Sequence, residues 1–317
     1  VTPQQHQKAK QSFNGIVFVE DVQGLIGDNK NDVDLSDREY TDVNSLEGKN
    51  VHKLNLANNM LKSISWKDDA FPRLTDLSLA NNDMQTFDFL NFLPNLRSLD
   101  LSQNKLNDEM LKSLCGIKKL TKLSIMNLSN NSFRNIPMIS QSFPNLDSID
   151  LSHNYILAVA PNSFDGIKSI DLSYNSLPKL DNIASASLLS LDISHNRIQQ
   201  VDEVYKIASR APQITKFSFH DNPLQQRVSP RIRCIAWMRS LKEMDGKLVT
   251  EADLQQARVL LEQGAISSGN VSSSSSSQLG APPGRGPRVN NVNLGFGLPA
   301  LQNPQPARRQ QGRKPGY

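Results

Sequence analysis

Regularly spaced aspartates are the side chains in this sequence with the clearest potential for binding chemistry. Asp150, Asp171 and Asp192 are each 21 residues apart, and a serine follows each of them two positions later. Carboxylates brought within about 4.8 Å of one another in water repel by about 0.9 kcal/mol, which a basic partner would relieve. The candidate partner-binding residues are Asp100, Asn127, Asp150, Asp171, Asp192, Ser152, Ser173 and Ser194.

Histidines His153, His195 and His220 are the other residues that could bind a ligand, because imidazole is a common metal ligand. His153 and His195 lie two such intervals apart, or about 10 Å if each interval is one strand spacing. That distance is too long for both to share one ion, so we interpret them as solvated turn residues and expect no metal. The sequence also lacks a nucleophile elbow, a phosphate-binding glycine loop and zinc-site spacing. We therefore predict no catalytic residues, no cofactor and no enzymatic activity.

A repeated pattern, Leu-x-x-Leu-x-Leu-x-x-Asn-x-Leu, must position these side chains. Its best copy runs from Leu96 to Leu106. Other copies start at Val51, Leu74, Leu123, Leu146, Ile167, Leu188 and Ile214. Alternation within each copy places the leucines on one face of a short strand, and successive strands would stack in parallel. An asparagine at the ninth position can satisfy backbone groups at the turn. These residues are Asn59, Asn82, Asn104, Asn131, Asn154, Asn175, Asn196 and Asn222.

The pattern resembles the leucine-rich repeat family, whose units are about 20–29 residues long. The resemblance covers residues 51–224 and implies an α/β solenoid with a parallel β-sheet on its concave face. Residues 1–50 are expected to hold an edge strand at 15–19 and a degenerate first repeat at 33–36. Solenoids of this kind bind partners on their concave surface, where the aspartates would lie.

A helical cap is predicted for residues 225–263. Ser229-Pro230 is typical of a helix start, and apolar residues follow at helical spacing. Thr250 and Asp253 resemble a capping box that opens a second helix. The stretch resembles the C-terminal cap of intracellular leucine-rich repeat proteins at Arg233, Leu241, Met244, Asp245, Gly246 and Val249.

Residues 264–317 differ sharply in composition from the rest of the chain. They are rich in Ser, Gly, Pro, Asn, Gln and Arg, and contain six basic residues and no acidic residue. This composition predicts a disordered tail. The whole chain has 35 basic and 31 acidic residues, so without the tail 29 basic residues face 31 acidic ones. The near-neutral body argues against nucleic-acid binding by the repeats themselves.

The two cysteines, Cys115 and Cys234, favour a reducing compartment. They would lie five repeats apart, about 24 Å, whereas a disulfide needs Cα atoms within about 7 Å. Three glycosylation sequons, beginning at Asn127, Asn130 and Asn270, point the other way. No apolar run is long enough for a transmembrane helix.

The leading interpretation is an intracellular scaffold or adaptor, cytoplasmic or nuclear, that binds another protein with a basic segment. One alternative is an extracellular recognition domain, which the sequons and the stretch from Ser163 to Ile167 favour. The other is a ribonucleoprotein component whose arginine-rich tail contacts RNA. Glycosylation of the native protein would separate the first two, and salt-sensitive RNA binding lost with residues 264–317 would support the third.

Overall fold

The computed structural model describes residues 26, 30–223 and 230–263. Short strands of three residues recur once per repeat because the middle residue is apolar, so that it can be buried while its two neighbours face the other side. The strands are β1 (Asp32–Asp34), β2 (Lys53–Asn55), β3 (Asp76–Ser78), β4 (Ser98–Asp100), β5 (Ile125–Asn127), β6 (Asn135–Ile136), β7 (Ser148–Asp150), β8 (Ala158–Val159), β9 (Ser169–Asp171), β10 (Ser190–Asp192), β11 (Lys216–Ser218), β12 (Glu243–Met244) and β13 (Lys247–Leu248).

Eleven of these strands form one sheet, in the order β1-β2-β3-β4-β5-β7-β9-β10-β11-β12-β13. Neighbours from β1 to β12 are parallel and in register, so that Leu99 faces Met126 and Ile149 faces Ile170. The predicted parallel leucine-rich repeat solenoid is therefore confirmed. A second small sheet pairs β6 with β8 in parallel on the other side of the coil.

The core runs continuously beneath the sheet. The apolar residue that directly follows each strand of the repeats is buried, as at Leu101, Leu128 and Leu151. A further buried column, which includes Phe143 and Phe164, packs against it, together with short helical segments in the connections. These segments are Asp88–Phe92 (a 3-10 helix), Asp108–Cys115, Ile139–Ser142 and Asp202–Arg210. The small residue Ser185 follows Phe164 in that column, and its buried hydroxyl makes no hydrogen bond to any described residue.

Buried asparagines join successive repeats, as predicted. The Asn154 side chain donates to the carbonyl oxygens of Leu128, Leu151 and Ser152, each at 3.1 Å. Its Oδ1 accepts the Phe133 N–H at 3.1 Å. The Leu128 carbonyl also accepts a bond from Asn131, so the asparagines of adjacent repeats share an acceptor. These bonds satisfy backbone groups where the chain leaves the sheet.

The C-terminal cap consists of the helices Pro230–Trp237 and Glu251–Glu262 with a β-hairpin between them. The hairpin was not predicted from the sequence, which indicated helices on either side of it. Its first strand, β12, extends the main sheet beyond β11, and β13 returns antiparallel. Asp245 and Gly246 both have positive φ, 51° and 71°, as a tight two-residue hairpin turn requires. The cap thus covers the last repeat with a paired strand as well as with helices.

Several predicted features lie outside the described residues. They are the edge strand at residues 15–19, the Ser229 start signal, the sequon at Asn270 and the tail at residues 264–317. Among the residues that the structure describes, no helix is both long enough and apolar enough to cross a membrane.

Candidate functional site: the concave face of the sheet

The predicted aspartates lie side by side on the exposed face of the sheet. Strand register aligns Asn127 with Asp150, Asp150 with Asp171, and Asp171 with Asp192. All four side chains are half-buried, and parallel strand spacing places neighbours about 4.8 Å apart. We call Asp150, Asp171 and Asp192 the acidic column. Asp100 lies one strand beyond Asn127, so a neutral amide separates it from the column.

Each member of the column has a structural role in addition to its charge. Oδ1 of Asp150 accepts the backbone N–H of Ser152 at 2.9 Å, and Asp171 and Asp192 make the same bond at 2.8 Å. Asn127 makes an equivalent bond to Ser129 through its own Oδ1, at 3.0 Å. The turn therefore needs an oxygen acceptor and not a charge. The second carboxylate oxygen of Asp150 accepts no hydrogen bond from any described residue, and remains available to a partner.

The serines predicted beside the column are much less accessible. Ser152, Ser173 and Ser194 are only 7, 7 and 3% exposed. The Ser194 hydroxyl donates to Asp192 at 2.7 Å. These serines therefore offer little surface to a partner, and the carboxylates dominate the chemistry of this part of the face.

Burial and neighbouring charges perturb the pKa of Asp171, the central carboxyl group of the acidic column. Burial raises the pKa of Asp171 above its ordinary value, while its hydrogen bonds to Ser173 lower it. The charges of Asp150 and Asp192 raise the pKa further. Among the described residues, no ion pair involves any member of the column, although nearby Lys216 pairs with Glu243 at 3.1 Å. A cavity at the C-terminal end of the column is lined by Asp171, Asp192, Lys216 and Glu243, among others.

An aromatic row runs along one rim of the concave face. The His153 ring stacks on Tyr174 at 4.2 Å between centroids, and Tyr174 stacks on His195 at 3.9 Å. His195 then meets His220 edge to face at 5.1 Å. The first three residues occupy the eighth position of successive repeats and have φ near 53°. Tyr174 was not among the predicted site residues, although its position in the repeat, the same as that of His153 and His195, could have identified it.

Tyr174 separates His153 from His195, as the repeat spacing predicts. His195 instead approaches His220 and Asp221, which lie on the adjacent turn. His195 Nε2 lies 3.2 Å from Asp221 Oδ2, and His220 Nδ1 lies 2.7 Å from the same oxygen. This cluster is the one group of at least three His, Cys, Asp or Glu side chains, within the described ranges, that could hold a metal ion.

Family models match the repeats directly. A model described as "Leucine rich repeat" matches residues 121–177, and another described as "Leucine Rich repeats (2 copies)" matches residues 72–116. The protein is a leucine-rich repeat protein.

Curated relatives match part of the chain. "Transforming growth factor beta activator LRRC33" of Danio rerio is 41% identical over 88 residues, which are 27% of this chain and 13% of the relative. "Acidic leucine-rich nuclear phosphoprotein 32 family member A" of Drosophila melanogaster is 33% identical over 109 residues, which are 33% of this chain and 39% of the relative. The matched part of this chain thus spans well under half the length of these relatives.

Among solved structures, an internalin (inlF) from Listeria monocytogenes aligns with a TM-score of 0.48 and 17% identity, covering 80% of this chain and 77% of that one.

Proposed function

We propose that this leucine-rich repeat protein is a non-enzymatic scaffold or adaptor that binds a basic segment of another protein along the acidic column. Leucine-rich repeat proteins generally mediate protein–protein interaction. The observation that carries the finer proposal is the in-register position of Asp171 between two other carboxylates, with no cation among the described residues paired to any of the three. A cationic side chain would relieve their mutual repulsion.

The spacing of the column suits a helical partner. Successive turns of an α-helix are about 5.4 Å apart, close to the strand spacing of about 4.8 Å. Lysines or arginines on one face of a helix lying along the column would therefore each meet one aspartate. Exposed Ile125, which is 52% accessible and lies one strand before Asp150, offers an apolar contact at one end.

Replacement of the column by asparagine tests the proposal without disturbing the fold. Asn127 shows that an amide oxygen supports the same backbone bond, so the triple variant Asp150→Asn, Asp171→Asn, Asp192→Asn should fold normally. The matched control is Asp68→Asn, Asp88→Asn, Asp165→Asn, which removes three exposed carboxylates outside the sheet. Both variants change the net charge by the same amount.

The probe is a helical peptide with lysine at every turn of one face, compared with a glutamine counterpart by fluorescence anisotropy. Exposed charge pairs contribute up to about 1 kcal/mol each, so the wild-type protein should prefer the lysine peptide by about tenfold at low salt. We expect the column variant to lose this preference and the control variant to keep it. Equal effects of the two variants would show that only net charge matters, and would reject the acidic column as the site.

For the compartment, we propose an intracellular location, cytoplasmic or nuclear. The resemblance of the cap to that of intracellular leucine-rich repeat proteins supports it. The extracellular alternative is favoured by the exposed Asn130, which begins a sequon, and by the similarity to the zebrafish growth-factor activator. An N-glycan on Asn130 in native material would establish the extracellular alternative.

A role for the arginine-rich tail in RNA contact is the remaining alternative. It predicts salt-sensitive RNA binding by the full chain that disappears when residues 264–317 are removed.

A further inference from the structure

We propose that His195, His220 and Asp221 form a binding site for a divalent transition-metal ion, such as Zn²⁺, at the C-terminal end of the aromatic row. Three donor atoms, one from each residue, lie within 4.8 Å of one another. Two imidazole nitrogens and one carboxylate oxygen are typical ligands of Zn²⁺ and of similar borderline-soft ions.

Two of the three separations between these donors are close to those that such an ion requires. Bonds of about 2.0–2.1 Å in tetrahedral geometry place two ligand atoms about 3.3 Å apart. His195 Nε2 and Asp221 Oδ2 are already 3.2 Å apart. His220 Nδ1 hydrogen-bonds to the same oxygen at 2.7 Å, so metal binding would replace this bond and widen the gap by about 0.6 Å. The His220 and Asp221 side chains are 46 and 60% exposed, and can move by this amount.

The surrounding structure holds the ligands in place. The Tyr174 ring stacks on His195 at 3.9 Å and fixes the plane of the imidazole. The backbone N–H of His195 donates to the backbone carbonyl oxygen of His220 at 3.0 Å, and this bond sets the offset between the two turns. Asp245 Oδ1 accepts the N–H groups of Phe219 and His220, at 2.8 and 3.1 Å, so the cap anchors the last turn. Only the side-chain ends remain free to adapt, as in pre-organised metal sites.

The Asp221 carboxylate also supplies a negative charge to the site. Its Oδ2 atom lies 3.2 Å from His195 Nε2 and 2.7 Å from His220 Nδ1. Three protein ligands leave at least one coordination position open. A donor from a bound partner could fill that position, since the site lies on the rim of the proposed binding face.

The experiment uses the full chain without a histidine tag, freed of metal by a chelator. Isothermal titration with Zn²⁺ and the visible spectrum of bound Co²⁺ report affinity and coordination independently. The ligand variants are His195→Gln, His220→Gln and Asp221→Asn, and asparagine tolerates the positive φ at position 221. The matched control is His153→Gln, which changes a histidine of the same aromatic row that lies outside the cluster. Circular dichroism checks that every variant is folded.

We expect one equivalent of Zn²⁺ to bind to the wild-type chain and to the His153→Gln control with similar affinity. Each ligand variant should bind at least about tenfold more weakly and should lose the tetrahedral Co²⁺ spectrum. Zn²⁺ binding weaker than about 100 μM in the wild-type chain would overturn the proposal. Tight binding that survives both His195→Gln and Asp221→Asn would overturn it too, because the ion would then lie elsewhere.

Discussion

Arg231 and Asp253 form a 2.9 Å ion pair that joins the two helices of the C-terminal cap. The same guanidinium donates to the carbonyl oxygens of Met244 and Leu248, at 3.1 and 2.9 Å, on the two strands of the hairpin. Asp253 also completes a capping box with Thr250. Its carboxylate accepts hydrogen bonds from the backbone N–H and the hydroxyl of Thr250. One arginine and one aspartate therefore connect both helices and the hairpin of the cap.

Replacement of Asp253 should weaken the cap in a pH-dependent way. The hydrogen bond from Arg231 is the largest cause that lowers the pKa of Asp253, from 3.8 to about 2. The carboxylate therefore stabilises the fold above about pH 4, and this contribution is lost as the pH falls from about 4 towards 2. We expect Asp253→Asn to cost about 1 kcal/mol at neutral pH, because the pair is partly exposed, and progressively less below pH 4.

Chemical denaturation at several pH values measures this difference. The control is Asp68→Asn, which removes an exposed carboxylate and should leave the free energy of unfolding unchanged. A constant difference between wild type and Asp253→Asn from pH 7 to pH 2 would contradict the assignment.

Burial on one face of the sheet predicts contrasting effects for two apolar residues. Leu151 is 0% exposed beneath β7, whereas Ile125 on the neighbouring strand is 52% exposed on the concave face. Leu151→Ala should lower the free energy of unfolding by about 2–5 kcal/mol through lost burial and a residual cavity. Ile125→Ala should cost less than about 0.5 kcal/mol. A loss below that value for Leu151→Ala would show that the position is not core.

We call the buried asparagines that join successive repeats the asparagine ladder. They predict a similar contrast between two amide side chains. Asn154 is 5% exposed and makes four hydrogen bonds to backbone groups, three of them donated. Its loss would leave buried carbonyls and an N–H without partners, so Asn154→Ala should cost about 2–4 kcal/mol. Asn145 is exposed and donates one bond, to Thr121 at 2.7 Å, so Asn145→Ala should cost at most about 1 kcal/mol. Thermal and urea unfolding would compare the two, and equal losses would refute a special role for the ladder.

The sequence predicts the sheet well because its information is local and repeated. Leu99 and Leu101 alternate with polar residues, and Asn104 follows at a fixed offset, so every strand and turn carries its own signal. The positions of the aspartates followed directly from the register. The hairpin in the cap was missed because its strands are two residues long, although Asp245-Gly246 is a recognised hairpin turn sequence.

Contacts between repeats are harder to predict from the sequence. The cluster of His195, His220 and Asp221 depends on the offset between two turns separated by an irregular 26-residue repeat, Leu188 to Ile214. The burial of the serines beside the acidic column likewise depends on how closely neighbouring strands pack. Such features are set by tertiary packing, which a single repeat does not encode.

The two cysteines should differ in reactivity although both are free thiols. Burial raises the pKa of Cys115 to about 11, and burial of Cys234 in the cap raises its pKa further. Because the thiolate is the reactive form, both should alkylate slowly at neutral pH in the folded protein. Cys115 is half-buried at the end of its helix, so local opening should expose it first. Cys234 should react only at the rate at which the cap unfolds.

Mass spectrometry after timed alkylation with iodoacetamide would follow each cysteine, and the Cys115→Ser variant would isolate the slower reaction of Cys234. Deletion of the cap ion pair by Asp253→Asn should accelerate alkylation of Cys234 and leave Cys115 unchanged. Rapid labelling of Cys234 in the native protein would show that the cap is not closed over the last repeat.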